Sequence, residues 1–500
     1  MKRGIKAISL VLVGVFLFAM CGCQQAPESR AVVSKNDGSF DRNVVQSKES
    51  PRTEQEIKDT RTFQSSDGSV SFAFHLQDTV GVGNDPVVEV IPHYLSEEDA
   101  RRVATALLGN ADFYEQEPIL NPRFSKKQLQ EQIDRWSAYA NSESIQSLYG
   151  DQVDTAFVLD LVKKFIADDS ARLDTAPDGD GVPCKWSFQK EGCYSVSAEN
   201  LTPQDAANDN DAIQATAKVG NVEYIFSVST RKKPDYKLNN IFLRLSSGSS
   251  PNDIDARIYQ AELCRTGRPT ELEISQAEEK AQSMLDNMEL GTWKVDRSQV
   301  QTAYYGDIAE YVISVDAVPV LCGAPAVRVP QLGNLKSTEV YASNYYISDA
   351  NFQFSASGDL IAFSMYAPVE VKQVINENIL AMDLPSVLDL ACQHLQLSDL
   401  YAYGMGEDSI AMMQEAAGED ISCKVNVGQL QYGLLRVKAP NMDESYYYVP
   451  GVVLSGEIDY VGKKTGTVYA SSGTEIWNER TVPLVAINAV DGSIVELYIG

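Results

Sequence analysis

Apolar and polar residues alternate strictly through Val70, Phe72, Phe74 and Leu76, directly behind the turn pair Asp67-Gly68. Period two of this kind predicts a strand buried on one face. A second strand is predicted over Val87 to Ile91. The pattern then shifts to a helical period, with Ala100, Val103, Ala104, Leu107 and Leu108 on one face. Ser96 is placed to cap that helix with Asp99 three residues on, and Gly109 to stop it. Two more helices follow, one carrying Leu129, Ile133, Trp136 and Ala140, the other running from about Val153 to Ala167. Strands return at Val222 to Val228 and Ile241 to Leu245, so 63–248 reads as a first region of mixed helix and strand.

Ser249 to Asp253 breaks the pattern and opens a middle region, 249–367. There Ser275 and Glu278 read as a capping box ahead of the stripe Ala277, Ala281, Met284, Leu285 and Met288, and Gly291 as its end. Alternating strands follow at Tyr311 to Val315, Tyr346 to Phe354 and Leu360 to Met365. The third region, 368–500, repeats the plan of helix first and strands after. Asp383 precedes the stripe Leu384, Leu388, Ala391, Cys392 and Leu395. Strands are expected at Ile421 to Val427, Leu434 to Val437, Tyr446 to Leu454, Leu484 to Val490 and Ile494 to Ile499. Asp491-Gly492 between the last two is a hairpin signal. The predicted class is α+β: antiparallel sheets, each covered by one or a few helices, in two or three regions.

The chain starts differently. Lys2, Arg3 and Lys6 precede an apolar run from Ala7 to Met20, which closes on Cys21-Gly22-Cys23 before turning polar. The run is short for a bilayer span, and the layout is that of an export signal over 1–22. Its end resembles the lipobox of bacterial lipoproteins, in which a small residue precedes the cysteine that is acylated. Gly22 before Cys23 fits, whereas Met20 before Cys21 does not, so Cys23 is the expected lipid attachment. An ordinary cleaved signal is the alternative. Residues 23–62 are polar and charged, with Pro27 and Pro51, and read as a flexible tether. The expectation is a chain held by lipid on the outer face of the cytoplasmic membrane.

Composition changes the picture in two respects. The formal net charge of −27 argues against nucleic acid and against broad contact with anionic headgroups. Beyond Cys23 the cysteines are Cys184, Cys193, Cys264, Cys322, Cys392 and Cys423, too few for a disulfide scaffold in 500 residues. Cys184 and Cys193 are close enough in sequence to form a hairpin clip and are the candidate disulfide; the other four read as buried small hydrophobes.

The order of the Ser275 to Met288 helix, the strands after it, Tyr446-Tyr447-Tyr448-Val449-Pro450 and the closing Ile487 to Ile494 run resembles a family of lipoproteins. The family is that of uncharacterised lipoproteins from clostridial-type Gram-positive bacteria, with PepSY-like or YycH/YycI-like modules. The quoted motifs are turns and strand edges. The resemblance therefore implies a class, envelope-facing proteins that bind or restrain a partner such as a sensor kinase or a protease, and assigns no catalytic residue.

Candidate chemistry is sparse. His75, His93 and His394 stand apart, HExxH and GxSxG are absent, and Gly462-Lys463-Lys464-Thr465-Gly466 lacks the spacing of a phosphate loop. Two acidic stretches, Asp174, Asp178 and Asp180 with Gly181, and Asp205 to Asp211, read as solvated turns with weak calcium binding as the alternative. Tyr304-Tyr305, Tyr345-Tyr346 and Tyr446-Tyr447-Tyr448 fall in strands, where neighbours face opposite ways, so one of each set should be exposed. No catalytic residue, metal ligand or cofactor is assigned. The leading expectation is a non-enzymatic binding or regulatory module acting on another envelope protein. The alternatives are a solute- or cation-binding lipoprotein and a hydrolase using two carboxylates about 5–10 Å apart.

Overall fold

The structure is a computed structural model. It describes residues 52–495 apart from 84, 116–124, 151–152, 180–182, 191–193, 198–199, 204–209, 221, 234–235, 246–253, 265–266, 306–307, 329–347, 400–406, 439–444 and 473–480. The expected export signal, Cys23 and most of the stretch expected to be a tether lie outside the described residues. The fold is α+β: helices lie against two large sheets, one of ten strands and one of nine.

The ten-stranded sheet joins two antiparallel meanders through their last strands. Asn210–Val219, Val222–Lys233 and Tyr236–Leu245 form one. Trp293–Tyr305, Ile308–Leu321, Asp349–Ser355 and Leu360–Tyr366 form the other. Tyr236–Leu245 pairs antiparallel with Leu360–Tyr366 at the seam, so the sheet crosses the boundary expected near residue 248. Its apolar face is a set of lateral rows. Val315, Phe352, Phe363, Leu243, Phe226 and Ala215 stand side by side across six strands. Helices Glu97–Leu108 and Glu271–Met288 cover that face with the stripes the sequence predicts, Ala100, Val103, Ala104 and Leu107 from one and Ala277, Ala281, Leu285 and Met288 from the other.

Helix ends follow local chemistry. Ser96 and Asp99 form the expected capping box. The second box is Thr270 with Glu273, so that helix starts one turn before Ser275. Thr270 N–H donates to Glu273 at 2.7 Å, and Glu273 N–H donates back to Thr270 Oγ1 at 3.3 Å. Glu278 instead accepts from Ser298 Oγ at 2.5 Å, and the helix closes on Glu289 in the left-handed region, ahead of Gly291.

The nine-stranded sheet is built around two long antiparallel strands, Ile421–Lys438 and Tyr446–Gly462. The sequence breaks the first into shorter pieces because a bulge at Val427/Gln429 shifts its alternation, and it ends the second early, at Leu454. Residues from the start of the chain complete this sheet. Val70–Phe74 pairs in parallel with Ile421–Lys438, and Asp85–Pro92 lies between Tyr446–Gly462 and Val369–Ile379. Regular structure starts before residue 62, the expected end of the tether: Thr53–Asp59 pairs with Leu76–Val82, and Ile57 is buried there. Asp383 caps helix Leu384–Gln396, which packs on this sheet. The Asp491-Gly492 hairpin forms, Asn488 N–H donating to Ser493 at 2.9 Å. Helix Glu407–Ala417 escapes the sequence pattern, having Ile410 as its one fully buried apolar side chain among those described.

The two sheets are knitted at one junction. Strand Leu360–Tyr366 of the first passes through Ala367, at φ 42°, and Pro368 into Val369–Ile379 of the second. A tight turn at Cys322-Gly323, with φ of 50° and 87°, sends Ala324 to Val327 across to the second sheet, where Val327 N–H donates to Leu434 at 2.9 Å. Gly433 permits that approach, since a Cβ there would sit 2.6 Å from the Pro325 carbonyl oxygen.

Candidate functional site

The second face of the ten-stranded sheet is of opposite character. Offset by one residue from the apolar row, Arg297, Asp316, Asn351, Ser364, Phe242, Ser227 and Gln214 form a lateral row across seven strands. The row beside it runs Ser314, Gln353, Ala362, Arg244 and Ile225. Gln214 and Arg244 are exposed, and Asn351, Gln353, Ser364, Phe242 and Ser227 half-buried. Phe242 and Tyr366 meet edge to face, with centroids 5.4 Å apart.

Charge concentrates where this face reaches the junction. The bulge at Val295/Arg297 inserts Asp296 and aims Arg297 across the strand pair. Asp316, fully buried, accepts from Arg297 Nε at 2.9 Å and from Asn351 Nδ2 at 2.7 Å, and pairs with Arg328 Nη1 at 3.1 Å. Asn351 also donates to Ser314 Oγ at 2.8 Å. Arg328 Nε lies 3.6 Å from Asp349 Oδ2. Burial pushes the Asp349 carboxyl up to about 6, although Arg328 beside it pulls the other way. Asp349 Oδ1 and Asn240 Oδ1 are buried without a hydrogen-bond partner among the described residues, on strands either side of Tyr366. At the far end of the same strands Arg257 forks onto buried Glu310, at 2.8 and 3.0 Å, and donates to the Leu148 carbonyl at 2.7 Å. Charged clamps thus bound the polar face at both strand ends.

The residues singled out in the sequence lie elsewhere. Cys184 is a free, half-buried thiol near Trp186, whose N–H points at its sulfur at 3.4 Å, and Cys193 lies outside the described residues. Burial raises the Cys264 and Cys423 thiols to about 12, and Cys392 is also buried. Cys322 departs from the expected buried position, because it occupies the exposed turn. His75 is exposed; His93 sits between Asp99 and Glu370, 3.5 Å from each; burial lowers His394. Asp180, Asp205, Asp209 and the pair Tyr345-Tyr346 are outside the described residues. Among the described residues no group of three or more acidic, histidine or cysteine side chains is arranged to hold a metal ion. The lysine turn at Gly462 to Gly466 wraps a carboxylate of the chain itself: Glu419 accepts from Thr465 Oγ1 and Lys464 N–H at 2.5 Å each.

Tyr446, Tyr447 and Tyr448 are all buried, against the expected alternation. Their strand has neighbours on both edges and packing on both faces. The junction charges were legible only in part. Ser314 and Asp316 occupy alternate positions between Ile313, Val315 and Ala317, a polar interruption that marks a second face. Nothing local ties them to Arg328 or Asp349.

No protein-family model and no curated protein matches the chain. Among solved structures, an uncharacterised protein from Eubacterium rectale ATCC 33656 aligns at 13% identity and a TM-score of 0.30, covering 57% of this chain and 76% of that one. A likeness of that size supports no conclusion about fold or function.

Proposed function

We propose that the chain is a lipid-anchored, extracytoplasmic binding protein that engages another envelope protein through the polar face of its ten-stranded sheet. The observation that carries this reading is the width of that face. Strands lie about 4.8 Å apart, so the seven-residue row spans roughly 29 Å, the footprint of a protein partner rather than of a small solute. The basic and apolar start ending at Cys23 supports the anchor and the compartment. Capture from envelope extracts on the wild-type chain and on Arg244→Glu tests the reading. It requires a stoichiometric species that wild type retains and Arg244→Glu loses; equal retention on both overturns it.

One observation favours a second reading, a solute-binding lipoprotein. Asn240 Oδ1 and Asp349 Oδ1, which have no partner among the described residues, flank Tyr366, an arrangement suited to a ligand that donates hydrogen bonds beside an aromatic ring.

A further inference from the structure

The turn from Gly462 to Gly466 is built around a carboxylate, and each oxygen of Glu419 accepts two hydrogen bonds there. Oε1 accepts from Thr465 Oγ1 at 2.5 Å and from Tyr469 Oη at 3.2 Å. Oε2 accepts from Lys464 N–H at 2.5 Å and from Thr465 N–H at 3.1 Å. Two donors on each oxygen is the full complement of a planar carboxylate. The backbone is shaped to the group as well. A Cβ at Gly462 would collide with Glu419 Oε1, and Gly466 closes the turn at φ 71°. The Thr465 hydroxyl, foremost among these donors, holds the Glu419 carboxyl below its ordinary range.

Successive backbone N–H groups aimed at one point make an anion-binding concavity. This one opens at the surface: Lys463, Lys464, Thr465, Gly466 and Thr467 are exposed, and so is Tyr469, at 38%. The two lysines place positive charge at its rim, on a chain whose formal net charge is −27. Glu419 enters the cradle through its side chain alone. The backbone beside it is fixed separately, because Lys463 N–H donates to the Asp420 carbonyl at 2.8 Å and Ile421 pairs with Gly462. The side chain can therefore rotate into water while turn and strand stay in place. Its advantage over a carboxylate from outside is tethering, a high effective concentration, and not a different chemistry.

We infer that the Gly462 to Gly466 turn, with Tyr469, is a binding site for a carboxylate on another molecule, and that Glu419 occupies it as a built-in competitor. The incoming group is a small organic acid or the acidic side chain of a protein. It takes over the donors of Lys464, Thr465 and Tyr469 as Glu419 moves out to water, and no proton changes hands. This site lies on the nine-stranded sheet and does not depend on the partner proposed for the ten-stranded one.

The test removes the competitor. Thermal unfolding of the full chain is titrated with sodium acetate and, separately, with the sodium salt of acetyl-glutamate amide, each against sodium chloride at equal ionic strength. In Glu419→Ala a rise in Tm of about 1–2 °C over chloride is expected. A rise with both ligands identifies the carboxylate alone as sufficient, and a rise with the glutamate derivative alone identifies an acidic side chain. Wild type is expected to rise too, by less at every concentration, since the ligand must displace Glu419. Glu419→Gln keeps the length of the side chain should Glu419→Ala not fold. Its NH2 faces the donors of the turn, so it yields to the ligand more readily than Glu419 does. Adding Thr465→Val to Glu419→Ala removes the hydroxyl donor and most of the rise. Indifference of Glu419→Ala and Glu419→Gln to both ligands overturns the proposal. So does a rise equal to that of wild type, or one undiminished by Thr465→Val. No rise at all in wild type overturns the exchange and makes Glu419 a fixed tie.

Discussion

The two sheets solve different problems with similar residues. In the ten-stranded sheet, moving one residue along a strand exchanges a row of Val315, Phe352, Phe363 and Leu243 for a row of Asp316, Asn351, Ser364 and Phe242. In the nine-stranded sheet the same step changes nothing, because every residue from Tyr446 to Gly456 is buried. One face of that strand meets the junction and then helix Leu384–Gln396; the other meets Val87, Ile379, Leu435 and Ala486. A sheet covered on both faces is a scaffold, whereas among the described residues the second face of the ten-stranded sheet leaves Gln214 and Arg244 exposed. This contrast is why the proposed partner is assigned to the ten-stranded sheet.

Adjacent substitutions test the contrast most directly. Phe363→Ala should cost about 3–5 kcal/mol, and its neighbour Ser364→Ala should stay within about 0.5 kcal/mol. In the other sheet both members of such a pair should be costly: Tyr448→Ala about 3–5 kcal/mol and Val449→Ala about 2 kcal/mol. Urea midpoints of the four variants decide it. A mild effect at either Tyr448 or Val449 breaks the distinction.

The junction supplies the next largest effect, and its sign is opposite to that of an ordinary paired carboxylate. Asp349 is raised by burial, so the folded chain holds its proton over a range in which the unfolded chain has released it. Its contribution is favourable below about pH 4 and is lost as pH rises to about 6. Asp349→Asn removes this dependence. Relative to wild type, that variant should be more stable at pH 7 than at pH 4 by about 3 kcal/mol, measured as a difference between two urea titrations. A difference that is flat with pH would mean that Arg328 neutralises Asp349 completely.

How much of this was written locally follows the same division. The capped helix at Ser96, the strand at Val70 to Phe74 and the Asp491-Gly492 turn are set by neighbours within a few residues, and they were legible. Tyr446 to Tyr448 were misread because a strand buried on both faces loses its alternation, and periodicity has no means to report that. The junction was hidden for a different reason. Arg328 reaches Asp316 and Asp349 only after a tight turn and a crossing to the second sheet, and the parallel pairing of Val70–Phe74 with Ile421–Lys438 spans some 350 residues of chain. Contacts closed over such distances leave no spacing to read.

The smallest effect concerns a local signal that was ambiguous. Thr270-x-x-Glu273 and Ser275-x-x-Glu278 both have the form of a capping box, and the sequence reading named only the second. In the structure Thr270 caps, whereas Ser275 is inside the helix that covers the ten-stranded sheet. Thr270→Ala leaves the Glu273 N–H without its acceptor and should cost about 1 kcal/mol. Ser275→Ala replaces an interior serine by the best helix former and should be neutral or stabilising by about 0.5 kcal/mol. The pair is read from Tm shifts of the same helix in the same chain. Equal losses at both positions would place the helix start near Ser275, shorten the stripe over the apolar face by a turn, and weaken the separation of covered from open face on which the functional assignment depends.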